Sequence, residues 1–352
     1  MPDHPKQPRS PNQVRLGVIG CGSIALGRHL PILRQTPGCE VMAIADTDTK
    51  NRSAATRMCP GSIPFDSSEA MLDTAQLDAV VIATPNHTHA PVASACLAAG
   101  KHVYLEKPVA TRREEIDGLL GAWKASGCLC VAGFNYRYLE SVLKARKLIG
   151  EGALGKILTI QSVFCTPGES LPAWKASLDS GGGALLDYGS HHLDLFGFML
   201  DDVPVSASVL ETSRKSEGDS AWLTGCFTGG ARYQSFFASA ATDEDRIEIL
   251  GTNGQLTLHR VGSRSLFRRD KSRTGLARRL ARHWSMSALG QAASLRRATE
   301  ASTTASLAAF IRAVRVGRYD SPEQPTLEDG VRCLRLLLDA RDSDRSRETD
   351  AA

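Results

Sequence analysis

Residues 78–83 read DAVVIA, five apolar side chains in a row behind one aspartate. A strand with one solvated face alternates polar and apolar residues. An unbroken apolar run suits a strand buried on both faces, the condition of a parallel sheet covered by helices. The surrounding chain repeats the pattern. Val14–Ile19 (VRLGVI), Glu40–Ala45 (EVMAIA), Ser62–Phe65, His102–Leu105 and Leu129–Ala132 are short strand candidates. Between them, Ser23–Arg34, Thr49–Arg57, Thr88–Ala99 and Thr111–Ala125 suit helices, the last two closing at Gly100 and Gly127. Such alternation predicts a parallel sheet flanked by helices.

The first strand runs into Gly20-Cys21-Gly22-Ser23-Ile24-Ala25, a G-x-G-x-x-A turn that opens a helix. Gly20 permits the tight turn, Gly22 lets the backbone approach a pyrophosphate, and Ala25 keeps the helix close to the sheet. Free N–H groups at the helix start, around Ser23 and Ile24, face the phosphates. The motif alone is weak, but a strand before it and a helix after it are the required context. Asp46 ends the second strand, where an acid bonds the adenosine ribose hydroxyls and repels a 2′-phosphate. The reading is a dinucleotide-binding Rossmann sheet that prefers NAD. Lys50 and Arg52 leave NADP possible, and Asp46 or Asp48 equally suits a helix cap.

Open parallel sheets bind ligands at the carboxyl ends of their strands. Two such ends carry polar chemistry: Thr84-Pro85-Asn86-His87-Thr88-His89 and Glu106-Lys107-Pro108. Thr84, Pro85, Asn86, His89, Glu106 and Lys107 are expected around the nicotinamide end of the cofactor. The first stretch is equally a capping turn, and the second equally an ordinary ion pair.

Residues 181–195, GGGALLDYGSHHLDL, place two aspartates and two histidines behind three glycines. At ~100° per residue, Asp187, His191 and Asp194 share a helix face and His192 points elsewhere, provided the helix begins by Asp187. Asp187, His191 and Asp194 could ligate a divalent ion, but a hydrolytic metal site does not require a dinucleotide fold upstream, so no metal is expected. The glycines either bring backbone close to the cofactor or turn the chain sharply into the helix.

The second half changes character. Leu139–Gly150 reads as a helix, and Lys156–Cys165, Val205–Ser213, Ala221–Phe227, Arg232–Ser239, Arg246–Leu250 and Gly254–His259 as strands, with a hairpin turn at Thr228-Gly229-Gly230. The expected fold is α/β: an N-terminal doubly wound parallel sheet and a C-terminal α/β domain on a large, mainly antiparallel sheet. The expected divisions are a disordered leader over 1–13, a cofactor domain over 14–135, a substrate and oligomerisation domain over 136–341, and a polar, disordered tail over 342–352. Residues 263–303 break the strand pattern, with Arg278–Trp284 and Ala288–Arg297 as inserted basic helices; Leu327–Ala340 is the final helix.

Length allows two domains, since the chain has 352 residues. Eleven of its 42 basic residues and one of its 38 acids fall between 260 and 297, so the remainder is net acidic. No nucleic-acid motif or interleaved aromatics accompany this basic stretch, and no nucleic-acid partner is expected. No apolar run spans a bilayer, so no membrane partner is expected. Nine cysteines show neither disulfide nor metal spacing, which suits a reducing, cytoplasmic setting.

Together, GCGSIA with His29 after it, Asp46, TPNHTH, EKP and GGGALLDYGSHHLDL resemble the Gfo/Idh/MocA oxidoreductases, whose members include glucose–fructose oxidoreductase and inositol dehydrogenase. The resemblance runs from about Val14 to about Leu338. It implies an NAD(P)-dependent enzyme acting on a hydroxyl of a sugar, amino sugar, nucleotide sugar or cyclitol. It also implies that Lys107 lies in the active site, with a bond to Pro108 that is often cis. His191 becomes the acid–base group, with Asp187 and Lys107 orienting the substrate hydroxyl. Tyr136, Arg137, Trp174 and Lys175 are expected substrate contacts, with packing as the alternative role. A homodimer or homotetramer is expected through the open face of the second sheet. Two alternatives within the resemblance stay open: a glycosidase that oxidises transiently with tightly held NAD, and a non-catalytic dinucleotide-binding regulator.

Overall fold

The strand carrying the glycine turn, β1 (Val14–Ile19), is central to a six-stranded sheet in the computed structural model, which describes residues 13–168, 171–259, 266–270 and 288–350. Its companions are β2 (Cys39–Ala45), β3 (Ile63–Phe65), β4 (Ala79–Ile82), β5 (His102–Leu105) and β6 (Cys130–Ala132). Every pairing is parallel and the order is 3-2-1-4-5-6, with β4 buried at all four residues as its apolar run predicts. Strand order reverses direction between β1 and β4, so the ligand crevice opens at their carboxyl ends.

The second sheet holds β7 (Ile157–Cys165), β8 (Pro204–Thr212), β9 (Ser220–Phe227), β10 (Arg232–Ala238), β11 (Glu244–Gly251), β12 (Gly254–His259) and β13 (Leu266–Asp270), in the order 13-12-11-7-10-9-8. It is antiparallel except where β7 pairs with β10. One face packs Ile160, Leu223, Tyr233 and Phe237 into a core with Leu193 and Phe196 of the helix Ser190–Leu200 and Leu334 and Leu337 of the helix Leu327–Asp350. That core is continuous with Ile82 and Leu105 of the first sheet. The opposite face leaves Leu210 and Trp222 exposed.

Three sequence expectations change. Leu266–Asp270 is an edge strand on β12, not part of a helical insertion. Ala288–Arg297 is only the start of a helix running to Val316. Its Leu307, Phe310, Ile311 and Val314 recur at i, i+3, i+4 and i+7, and this stripe packs on the first sheet, with Phe310 5.7 Å from the Tyr104 ring. A run of alanine, serine and threonine around those four positions hides the stripe in the sequence. The last helix continues to Asp350, through residues expected to be a disordered tail. Arg278–Trp284 and the leader before residue 13 lie outside the described residues.

Candidate active site

The glycine turn is fixed by its surroundings. Gly20 has φ +86°, and a Cβ there would lie 2.6 Å from the backbone of Ala83 and Thr84. Asp46 clamps the turn to the end of β2: its carboxylate accepts the N–H of Cys21 at 2.5 Å and that of Asp48 at 2.7 Å. Asp48, not Asp46, caps the next helix, accepting from the backbone of Lys50 and Asn51. At Gly22 a Cβ would meet nothing within 4 Å, so the missing side chain leaves an open approach to the backbone. Ser23 and Ile24 beside it are exposed. This is a cradle that fits a dinucleotide pyrophosphate.

At the end of β4, Thr84 accepts from the Thr88 hydroxyl at 2.8 Å, and Pro85 leads the short turn Asn86–Thr88. Asn86 is buried and its Nδ2 donates to the carbonyl of Gly181 at 2.8 Å. His89 is buried between two carbonyl oxygens, Pro108 at 2.7 Å and Thr84 at 2.9 Å. Burial pushes its pKa down against the pull of these two acceptors and of Glu106. Asn86 and His89, expected at the cofactor, thus tie protein segments together: one joins the two halves, the other joins the ends of β4 and β5.

Glu106 and Lys107 follow β5, and the Lys107–Pro108 peptide is cis. Glu106 Oε1 lies 2.9 Å from Nε2 of the buried His29. Burial alone would raise the Glu106 pKa, but the hydrogen bond from His29 and the charges of His29 and Lys107 hold it below the usual value.

The opposing wall comes from the glycine run and the helix behind it. A Cβ on Gly181 would lie 2.7 Å from the Lys175 backbone, and one on Gly183 2.8 Å from the Gly218 carbonyl oxygen. The glycines therefore serve a sharp turn packed against residues 174–175 and 218. Leu185–Gly189 is a π-helical turn before the α-helix Ser190–Leu200. From it Asp187 reaches Lys107 Nζ at 2.5 Å and Lys175 Nζ at 2.9 Å. Burial would raise the Asp187 pKa, but the two ammonium groups hold it well below the usual carboxylate range. Asp187 in turn raises the pKa of Lys175.

His191 stacks on Tyr136 with centroids 4.3 Å apart and meets Phe134 edge-on. His192 bonds the Ser162 hydroxyl at 3.1 Å and packs among Phe164, Phe196 and Phe237. Asp194 leaves the group: it is buried against Arg137, whose Nε donates to it at 2.9 Å. A uniform α-helical wheel placed Asp194 beside Asp187, but the π turn breaks that period just before the α-helix.

One cleft between the two halves brings together Ile24, Lys107, Tyr136, Lys175, Asp187 and His191. Arg137, expected at the substrate, lines a different cavity with Asp194 and Asp329, and Trp174 is not among the residues lining the cleft. The cleft also includes His29, named above with the glycine turn, and two residues that the sequence reading missed, Tyr188 and Arg28. Tyr188 sits beside Asp187, with its hydroxyl 3.1 Å from Thr166 Oγ1; adjacency to Asp187 was the one signal for it. Among the described residues no three His, Cys, Asp or Glu side chains gather as a metal site, and no helix is long and apolar enough to cross a membrane.

Residues 14–134 match an oxidoreductase family with an NAD-binding Rossmann fold, and residues 142–257 match the GFO/IDH/MocA C-terminal domain. A dTDP-3,4-didehydro-2,6-dideoxy-alpha-D-glucose 3-reductase of Actinomadura kijaniata is 31% identical over 260 residues, covering 73% of this chain and 77% of the relative. Inositol 2-dehydrogenase 2 of Saccharopolyspora erythraea is 28% identical over 255 residues, covering 70% and 73%. Among solved structures, a 3-ketoreductase from Actinomadura kijaniata in complex with NADP and TDP-benzene superposes with TM-score 0.76 at 25% identity, over 94% of this chain and 98% of that one. A dehydrogenase from Bordetella pertussis in complex with NADH and UDP-GlcNAcA shares the fold at TM-score 0.79 and 24% identity, over 96% and 97%. The chain belongs to the Gfo/Idh/MocA family of NAD(P)-dependent oxidoreductases.

Proposed function

We propose that this oxidoreductase acts on a secondary hydroxyl or ketone of a sugar, amino sugar, nucleotide sugar or cyclitol, and that Lys107, Asp187 and His191 carry the chemistry. The observation behind this is the contact of Lys107 Nζ, at the crevice end of β5, with Asp187 from the other half, 2.5 Å away in the cleft that also holds His191. Bound NAD(P) supplies the hydride acceptor or donor. The remaining requirement is a proton carrier and a stabiliser of charge on the substrate oxygen. His191 exchanges the proton, since an imidazole can both donate and accept one, and a positioned group of this kind is worth about 10²–10⁴-fold in rate. The Lys107 ammonium stabilises the developing alkoxide. Asp187 holds Lys107 and Lys175 at one point, so two like charges face the substrate without separating. Asp46 favours NAD, since its carboxylate would repel a 2′-phosphate.

Residues 14–135 serve the cofactor and 136–341 the substrate in this reading, with the long helix Ala288–Val316 bracing the first sheet. The exposed Leu210 and Trp222 support a homodimer or homotetramer through the open sheet face. The test is a panel of sugars, sugar phosphates, nucleotide sugars and inositols with NAD and NADP, read by absorbance of the reduced cofactor. Turnover with one class supports the reading, and inertness toward every class contradicts it.

A further inference from the structure

Two π-helical turns occur among the described residues, and both border the same cleft. Leu185–Gly189 contributes Asp187 and Tyr188, and Ala25–His29 contributes Arg28 and His29. Such turns are rare and recur at functional sites. The two side chains of the second turn are committed differently. His29 is buried and bonded to Glu106. Arg28 is exposed, lines the cleft, and has no carboxylate within ion-pair distance among the described residues. The other lysines, arginines and carboxylates lining the cleft are matched to partners: Glu106 to His29, Lys107 and Lys175 to Asp187. Arg28 is therefore the charged group at this cleft with its hydrogen-bonding capacity left for a ligand anion.

Resting on the oxidoreductase reading above, we infer that Arg28 recognises the phosphate of a phosphorylated substrate, so that the cleft selects a sugar phosphate or nucleoside-diphosphate sugar over neutral sugars and cyclitols. The planar guanidinium matches two phosphate oxygens at once and stays charged at any working pH. Its place in the turn that follows the dinucleotide motif, in the cleft that also holds Lys107 and Asp187, lets one ligand present its anion to Arg28 and its reacting carbon to Lys107. The cofactor also carries phosphates, so each source has to be read separately.

The experiment uses calorimetry on the NADH-loaded protein with dTDP, glucose 1-phosphate and myo-inositol as probes, alongside NADH titration of the cofactor-free protein, for wild type, Arg28→Gln and Arg28→Lys. A charge-assisted hydrogen bond corresponds to roughly ten- to hundredfold in affinity. Arg28→Gln is expected to lose that factor for the phosphorylated probe, Arg28→Lys to recover part of it, and NADH affinity to stay unchanged. Binding of dTDP but not glucose 1-phosphate assigns a nucleotide sugar, and the reverse assigns a sugar phosphate. A parallel loss of NADH affinity overturns the inference in favour of the cofactor's own phosphates. So does failure of both phosphorylated probes to bind the wild type, or binding that Arg28→Gln leaves intact. A wild type that binds neither NADH nor NADPH overturns the oxidoreductase reading itself, which separates the two failures.

Discussion

Lys107 Nζ lies 2.5 Å from Oδ1 of Asp187 and 2.9 Å from the same residue's carbonyl oxygen, joining two positions 80 residues apart across the cleft. One ammonium group thus fastens the end of a parallel strand to a π-helical turn of the other half. With Lys175 on Oδ2, the carboxylate carries two cations.

Asp187→Asn leaves those two ammonium groups facing each other without a counter-charge. Lys175 is 31% exposed and keeps part of its hydration. The expected loss is therefore about 2 kcal/mol, below the ~3–5 kcal/mol of a wholly buried pair broken at one partner. Urea unfolding measures it. Activity should fall by about 10²-fold, mostly in kcat, as Lys107 loses its position.

The same carboxylate sets an acid dependence. Its folded pKa lies below its unfolded value of about 3.9. Its contribution to stability is therefore complete above that value and is lost as pH falls through the lowered folded pKa. The gap in unfolding free energy between wild type and Asp187→Asn should be constant near neutrality and shrink toward pH ~3. A gap independent of pH down to acid unfolding would contradict the lowered pKa.

Two glycines of one turn should respond oppositely to alanine. Gly20→Ala meets backbone at 2.6 Å in a positive-φ conformation and should cost at least ~2 kcal/mol of stability. Gly22→Ala meets no protein atom within 4 Å and should melt like wild type. Its methyl group would instead occupy the pyrophosphate approach and weaken NADH about tenfold or more. Thermal melts and NADH titration on both variants separate the two effects.

Arg137→Ala tests a residue that the structure moves from the substrate to the interior. It strands the buried Asp194, and about 3–5 kcal/mol should be lost. The KM of the folded fraction should change little. Arg137→Met with Asp194→Leu, which removes both charges, should recover most of the stability. A large KM change without loss of stability would return Arg137 to the substrate.

The first sheet was legible because its physics is local. DAVVIA needs both faces buried wherever it lies, and Gly20 is required by a turn within its own segment. That Lys107, Asp187 and His191 meet in one cleft was anticipated only through the resemblance their motifs carry. What escaped depends on partners distant in sequence. Asp194 finds Arg137 57 positions away, which no helical wheel reveals. The bonds of Asn86 and His89 to the carbonyls of Gly181, Pro108 and Thr84 also join distant segments, which their motif does not reveal. Leu266–Asp270 lies at the edge of the second sheet, and edge strands carry charged residues that obscure an alternating pattern. The π turns at Ala25–His29 and Leu185–Gly189 add a residue to a helical period that a fixed 100° count assumes constant.

The most direct test of the site is stopped-flow measurement of hydride transfer, once a substrate is in hand, in wild type, Lys107→Ala and His191→Ala under saturating cofactor. The account predicts that both variants bind NADH normally and slow the absorbance transient by about 10²-fold or more. Near-wild-type transients in both would contradict the assignment of Lys107 and His191 to the chemistry.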